Sequence, residues 1–120
     1  MGKLVLKIYD HLEDVSFGRF IEEALNDRCR FYASDLMEAL NIGGEDEFEE
    51  IINTAERACL SLNIPVRYHF KAVFRQDEGG LRRDLRLSDL ACYLISINGD
   101  PANPSVARAQ IYFAFKGKNN

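Results

Sequence analysis

Between Val66 and Arg75 the chain alternates with a period of two. Val66, Tyr68, Phe70, Ala72 and Phe74 fall on one side, and Arg67, His69, Lys71 and Arg75 on the other, the pattern of a half-buried β-strand. Asp77-Glu78-Gly79-Gly80 carries turn chemistry. Leu81 to Leu87 then resumes the alternation, with Leu81, Leu85 and Leu87 opposed to Arg82, Asp84 and Arg86. The pattern predicts a β-hairpin with an oily face turned to a core and a polar face that holds cations.

Elsewhere the period is helical. From Glu45 to about Leu62, one side collects Phe48, Ile51, Ile52, Ala55, Ala58, Cys59 and Leu62. The acidic cluster Glu45, Asp46, Glu47, Glu49 and Glu50 occupies the first turns, where the helix dipole favours negative charge. Asn63-Ile64-Pro65 breaks this helix. Between Leu87 and Phe115 two more helices are expected. Ser88 caps one that starts at Asp89 and stops near Asn98-Gly99, with Gly99 left-handed at its end and Pro101 forbidding continuation. Asn103 caps the second, from Pro104 to about Phe115. Both are apolar almost all round, so the antiparallel pair is expected inside the domain, as scaffold and not as working surface.

The first third is less regular. Met1 to Val15 fits a strand or a helix equally well. Ser16 is placed to cap a short helix with Phe17, Phe20, Ile21, Ala24 and Leu25 inward, and Asn26-Asp27 marks a turn. Arg30-Phe31-Tyr32 reads as a short strand. Ser34 then caps a helix with Leu36, Met37 and Leu40 inward, ended by Gly43-Gly44. Together these elements predict an α+β fold: a small antiparallel sheet or β-hairpin packed on about five helices, with the C-terminal helical hairpin as core. Residues 1–120 form one domain, with residues 1–15 as a poorly defined N-terminal extension.

Composition adds bounds. At 120 residues, 47% hydrophobic and 28% charged, the chain can bury a core without disulfide or metal. Cys29, Cys59 and Cys92 are scattered and form no C-x-x-C pair, so buried inert thiols are expected, with no metal and no cofactor. The apolar runs fall far short of the roughly 20 residues of a membrane span, and no signal peptide is visible, so a cytoplasmic protein is expected. A net charge of −4 argues against a protein that coats nucleic acid by bulk electrostatics. Charge distribution must decide.

Positive charge concentrates on the predicted hairpin, at Arg67, His69, Lys71, Arg75, Arg82, Arg83 and Arg86. Lysine and arginine on a strand pair can follow a phosphate backbone or enter a groove. The same residues also suit a plain solvated face, with Asp77, Glu78 and Asp84 partly cancelling them. An aromatic stacking platform is not expected, because Tyr68, Phe70 and Phe74 fall on the inward face. Catalysis has little support. His11 and His69 stand apart from any serine or cysteine at motif spacing, and no metalloprotease, nucleophile-elbow or phosphate-loop motif occurs. Asn98-Gly99-Asp100-Pro101 is sufficiently explained as a tight link between helices.

The stretch from Leu87 to Ala114 resembles the DNA-damage-inducible protein D family. The matching residues are Leu87-Ser88, Ala91-Cys92-Tyr93-Leu94, Asn98-Gly99-Asp100-Pro101, Ala107, Ala109-Gln110 and Tyr112-Phe113-Ala114. Weaker agreement runs back through His69-Phe70 and Ala55 to Phe31-Tyr32-Ala33 and Leu36. That family's N-terminal region is similar to the BRO N-terminal domain of large DNA viruses and phage antirepressors, a module associated with DNA binding. The resemblance implies a regulatory module of the bacterial SOS response without an active site, whose partner is single- or double-stranded DNA or a RecA recombinase filament. The alternative is an antirepressor-like protein-interaction or homodimerisation module, using the acidic helix start and the apolar C-terminal hairpin. No membrane partner is implied. Where the family has Arg-Tyr after Leu-Ser, this chain has Asp89-Leu90, and Tyr32 and Ser34 replace a tryptophan and an arginine. Two cations of the family pattern are therefore missing.

Overall fold

In the computed structural model, which describes residues 28–118, the hairpin forms but begins later than the alternation suggests. Pro65 fixes its own backbone, and the Pro65 and Val66 carbonyls accept the Tyr68 and His69 amides, so Val66–Tyr68 is a 3-10 turn and not strand. Strand β2 is Phe70–Asp77 and β3 is Gly80–Leu87. Gly80 holds the turn with φ +106°, and the Asp77 carboxylate accepts the Gly79 amide at 2.9 Å. A two-residue strand, β1 (Phe31–Tyr32), joins the base of β3, giving the antiparallel order β1-β3-β2. Four α-helices complete the described residues: α1 (Ala33–Ala39), α2 (Glu45–Ser61), α3 (Asp89–Ile97) and α4 (Pro104–Lys118). The α+β architecture is the expected one, with the C-terminal helix pair in contact. Expectations for Met1–Val15, the helix after Ser16 and the Asn26-Asp27 turn lie outside the described residues.

Two helices end by the same device. In α1 the Asn41 amide bonds to Glu38 O and the Ile42 amide to Met37 O, and in α2 Asn63 bonds to Leu60 O and Ile64 to Cys59 O. Asn41 and Asn63 take the left-handed conformation at φ +53° and +58°. This is the Schellman arrangement with asparagine in the usual glycine place, and it swings Ile42 and Ile64 back onto the core. Asn41, upstream of Gly43-Gly44, is thus the real stop of α1. Leu62, expected inward, is the α2 C-cap residue and is exposed.

Helix α3 starts as expected, with Ser88 Oγ accepting the Ala91 amide at 3.1 Å. Its end differs from expectation. Gly99 is not left-handed. Instead it is buried, and a Cβ there would lie 2.8 Å from Val106 Cγ1, so it is close approach of the helices that demands glycine. Asn103 Oδ1 accepts the Ser105 amide at 3.0 Å and opens α4 as predicted.

The core joins Phe48, Ile51, Ile52, Ala55 and Cys59 of α2 to Ala91, Cys92 and Ile95 of α3, and to Phe70 and Leu87 at the hairpin base. Burial in the helix pair is uneven. Helix α3 buries Ala91, Cys92 and Ile95 in the core while its Tyr93 and Ile97 stay exposed, and α4 contributes Val106 and packs Ala109 and Phe113 against it. Ile111, Tyr112 and Phe115, on its far side, are exposed.

Candidate nucleic-acid interface

Register decides what each face of the ribbon presents. Lys71 pairs with Arg86, Val73 with Asp84 and Arg75 with Arg82, so these side chains share the polar face. Ala72 pairs with Leu85, Phe74 with Arg83 and Gln76 with Leu81 on the other. Within residues 70–87 there are five cations and three carboxylates, a local excess of positive charge in an acidic chain.

The polar face is not a row of free cations, because β1 and α1 sit beside it. Asp84, whose side chain is 4% exposed, accepts the Ser34 amide and hydroxyl, and its own Oδ1 takes the Leu85 amide at 2.8 Å. Arg75 Nη1 donates to Asp84 at 3.3 Å, to Ser34 Oγ at 3.0 Å and to Asp35 at 3.4 Å. Its guanidinium lies 3.8 Å from the centroid of the Tyr32 ring. Burial opposes ionisation of Asp84, but the Ser34, Leu85 and Arg75 hydrogen bonds outweigh it and hold the carboxyl below its ordinary pKa. Burial likewise opposes the charge on Arg75, and the hydrogen bonds to Asp84 and Asp35 overcome it, leaving its pKa raised. Asp84 also fills the capping role expected of Ser34, which stands inside the first turn of α1 and makes no side-chain cap of its own. Arg75 is therefore a clamp of the fold.

The other predicted site residues are dispersed. Arg82 pairs with Asp77 at 2.8 Å, with both side chains about half exposed. Arg86 is half-buried with its guanidinium 5.8 Å from the Tyr32 ring centroid, and Lys71 is half-buried and engaged. Arg67, carried by the 3-10 turn and not by the strand, folds over the Tyr68 ring and donates to its hydroxyl at 3.3 Å. His69 departs from the expected cationic face altogether. It is 2% exposed, with Nδ1 2.7 Å from Ser88 Oγ. Burial, reinforced by the charge of Arg28, lowers its pKa and favours the neutral ring. Among the seven, Arg83 alone is exposed with no hydrogen bond, ion pair or ring contact among the described residues.

The oily face holds a second departure. Phe70 and Leu87 are buried at its base, but Phe74 is 67% exposed and Leu81 70% exposed. Eight residues of strand reach roughly 27 Å, and Phe74 and Leu81 lie towards the turn, away from the buried Phe70–Leu87 base. An aromatic ring does stand open on this hairpin, beside Arg83, contrary to the sequence expectation.

Sequence reasoning also missed the His69–Ser88 pair, whose members lie nineteen positions apart. Ser88 accepts the Ala91 amide while bonding His69, and the Ser88 amide donates to His69 O at 3.1 Å. With Ser88 1% exposed, the pair is closed to any substrate in this arrangement and works as a lock between hairpin and α3. The residues that carried the family resemblance have joint-like roles too. Gln110 Nε2 donates to Ser96 O at 3.0 Å and Gly99 O at 3.2 Å, holding the end of α3. Asp100 Oδ1 accepts the Ala102 amide at 2.9 Å, and Asn103 Nδ2 donates to Leu40 O at 2.9 Å. The three cysteines are free and buried as expected, and burial, with Asp89 and Cys29 adding to it, pushes the Cys92 thiol up to about 12. Among the described residues no group of histidine, cysteine and carboxylate side chains could hold a metal, and no helix is long and apolar enough to cross a membrane.

No family model matches the chain, and no solved structure does. Among curated proteins, the DNA damage-inducible protein D of Escherichia coli (strain K12) is 34% identical over 74 residues, 58% of this chain and 27% of that protein. The chain thus spans about a quarter of the length of the relative it matches. The likeness is distant and partial, and it suggests membership in a related family.

Proposed function

We propose that this chain is a non-catalytic regulatory module of the bacterial DNA-damage (SOS) response that binds DNA, or a RecA recombinase filament on DNA, through its β2–β3 ribbon. The observation that carries the proposal is the local excess of cations on a ribbon of a chain with net charge −4, with Arg83 left open among them. Partial similarity to a protein named for DNA damage supports it. The cations divide the work. Arg75 holds β1, α1 and the ribbon together, while Arg82 and Arg83 are available to phosphates. Titration of labelled single-stranded and duplex DNA at two salt concentrations, with and without recombinase, tests the proposal. Affinity should fall with a log–log slope of about −0.9 per phosphate neutralised on duplex, or about −0.7 on single strands. Arg82→Ala/Arg83→Ala should weaken binding and flatten that slope. A salt-independent profile, or unchanged binding in the double variant, would remove the ribbon from the mechanism.

One observation favours a second reading, a protein-interaction or dimerisation module. Ile111, Tyr112 and Phe115 form an exposed apolar stripe on α4. Sedimentation across a wide concentration range decides it for self-association, since a sharp monomer throughout would leave that stripe without a second copy.

A further inference from the structure

The polar face of the ribbon is largely committed to internal partners, whereas the outer half of the opposite face is open. Phe74 and Arg83 stand directly across from one another there, flanked by exposed Ala72 and by the Gln76–Leu81 pair. Among the described residues neither takes part in a ring stack or a cation–ring contact, leaving the ring face and the guanidinium open to a ligand. We infer that this outer face is the ribbon's main contact surface, and that its ligand is single-stranded nucleic acid: an unpaired base stacks on Phe74 while Arg83 holds the adjoining phosphate.

The chemistry selects that occupant. A ring exposed on a narrow ribbon offers a flat apolar surface that any base can cover, and stacking of this kind tolerates every sequence. A duplex keeps its base faces covered by their neighbours, so it can meet Arg83 but not the ring unless a step is unstacked. A cation next to the ring, with no carboxylate of its own, matches a ligand that alternates flat apolar groups with negative charges. Leu81, toward the tip, extends the apolar surface. Because this deepens the DNA-binding function proposed above, it rests on that proposal.

The test uses the whole chain, a labelled oligothymidylate and a duplex of equal length. Oligothymidylate should bind more tightly than duplex. Phe74→Ala should weaken that binding by about tenfold or more, with thermal stability little changed because the ring is exposed. Arg83→Gln should weaken it and lower the salt slope by about one phosphate's share. Phe74→Trp should retain affinity, and since the chain has no other tryptophan, its fluorescence should be quenched as oligothymidylate is added. Tighter binding to duplex, or unaltered oligothymidylate binding in Phe74→Ala, overturns the inference while leaving the ribbon's DNA binding in place. Absence of binding to either DNA, with and without recombinase, overturns both.

Discussion

Asp84 is where three elements meet, and removing its carboxylate should loosen all three. It accepts the amide and hydroxyl of Ser34 in the first turn of α1, pairs with Arg75 and steadies its own strand through the Leu85 amide. Asp84→Ala leaves a half-buried guanidinium and the Ser34 donors unmatched, and should cost about 2 to 3 kcal/mol in urea unfolding, less than a fully buried pair because Arg75 keeps some solvent. Asp84→Asn, which preserves an acceptor, should fall between. The folded carboxyl has the lower pKa, so its contribution is full above the unfolded value near pH 4 and is lost progressively as pH falls towards and through the folded one. His69 has the same sign at higher pH. Its folded pKa is depressed, so the unfolded chain takes up the proton first, and stability should decline as pH drops below about 6.5. His69→Gln should flatten the profile of the urea midpoint between pH 7 and 5, whatever its absolute stability. An unchanged slope would mean that the imidazole is not the group being titrated.

At the scale of elements, local chemistry was read well wherever it was self-contained. The α2 stripe from Phe48 to Cys59, the Ser88 cap and the Asn103-Pro104 start of α4 each depend on nearby residues of the chain, and each stands as expected. Apart from the 3-10 turn after Pro65 and the Asn41 stop of α1, which are local, what failed depended on another element. Capping of α1 comes from a strand fifty positions away, and the glycine of the α3–α4 link answers to Val106 and not to its own dihedral. That last difference can be measured. Gly99→Ala should destabilise the fold by about 1 to 3 kcal/mol through overpacking. In Val106→Ala the same change should cost clearly less, a coupling that a double-mutant cycle would expose. Additive costs would point back to backbone conformation as the reason for glycine.

Over the whole molecule, the candidate site was half legible. Alternation identified the ribbon and the composition of its faces, but it does not state what lies beneath or beside a face. Alternation alone therefore assigns Phe74 to the interior and groups Arg75, Arg86 and His69 with open cations. The base of the ribbon is held by β1, α3 and the core, and beyond the Arg75–Asp84 clamp on α1 its tip has only the two paired strands. Opening free energies should therefore grade along it. Amide hydrogen exchange should be slowest in α2, α3 and the Phe70–Leu87 base and fastest from Phe74 to Arg83. Single-stranded DNA should slow exchange selectively in that outer half, since a ligand bound there stabilises only the states in which its contacts exist. Protection that instead spread evenly, or centred on α4, would place the ligand elsewhere and leave the exposed ring without a role in binding.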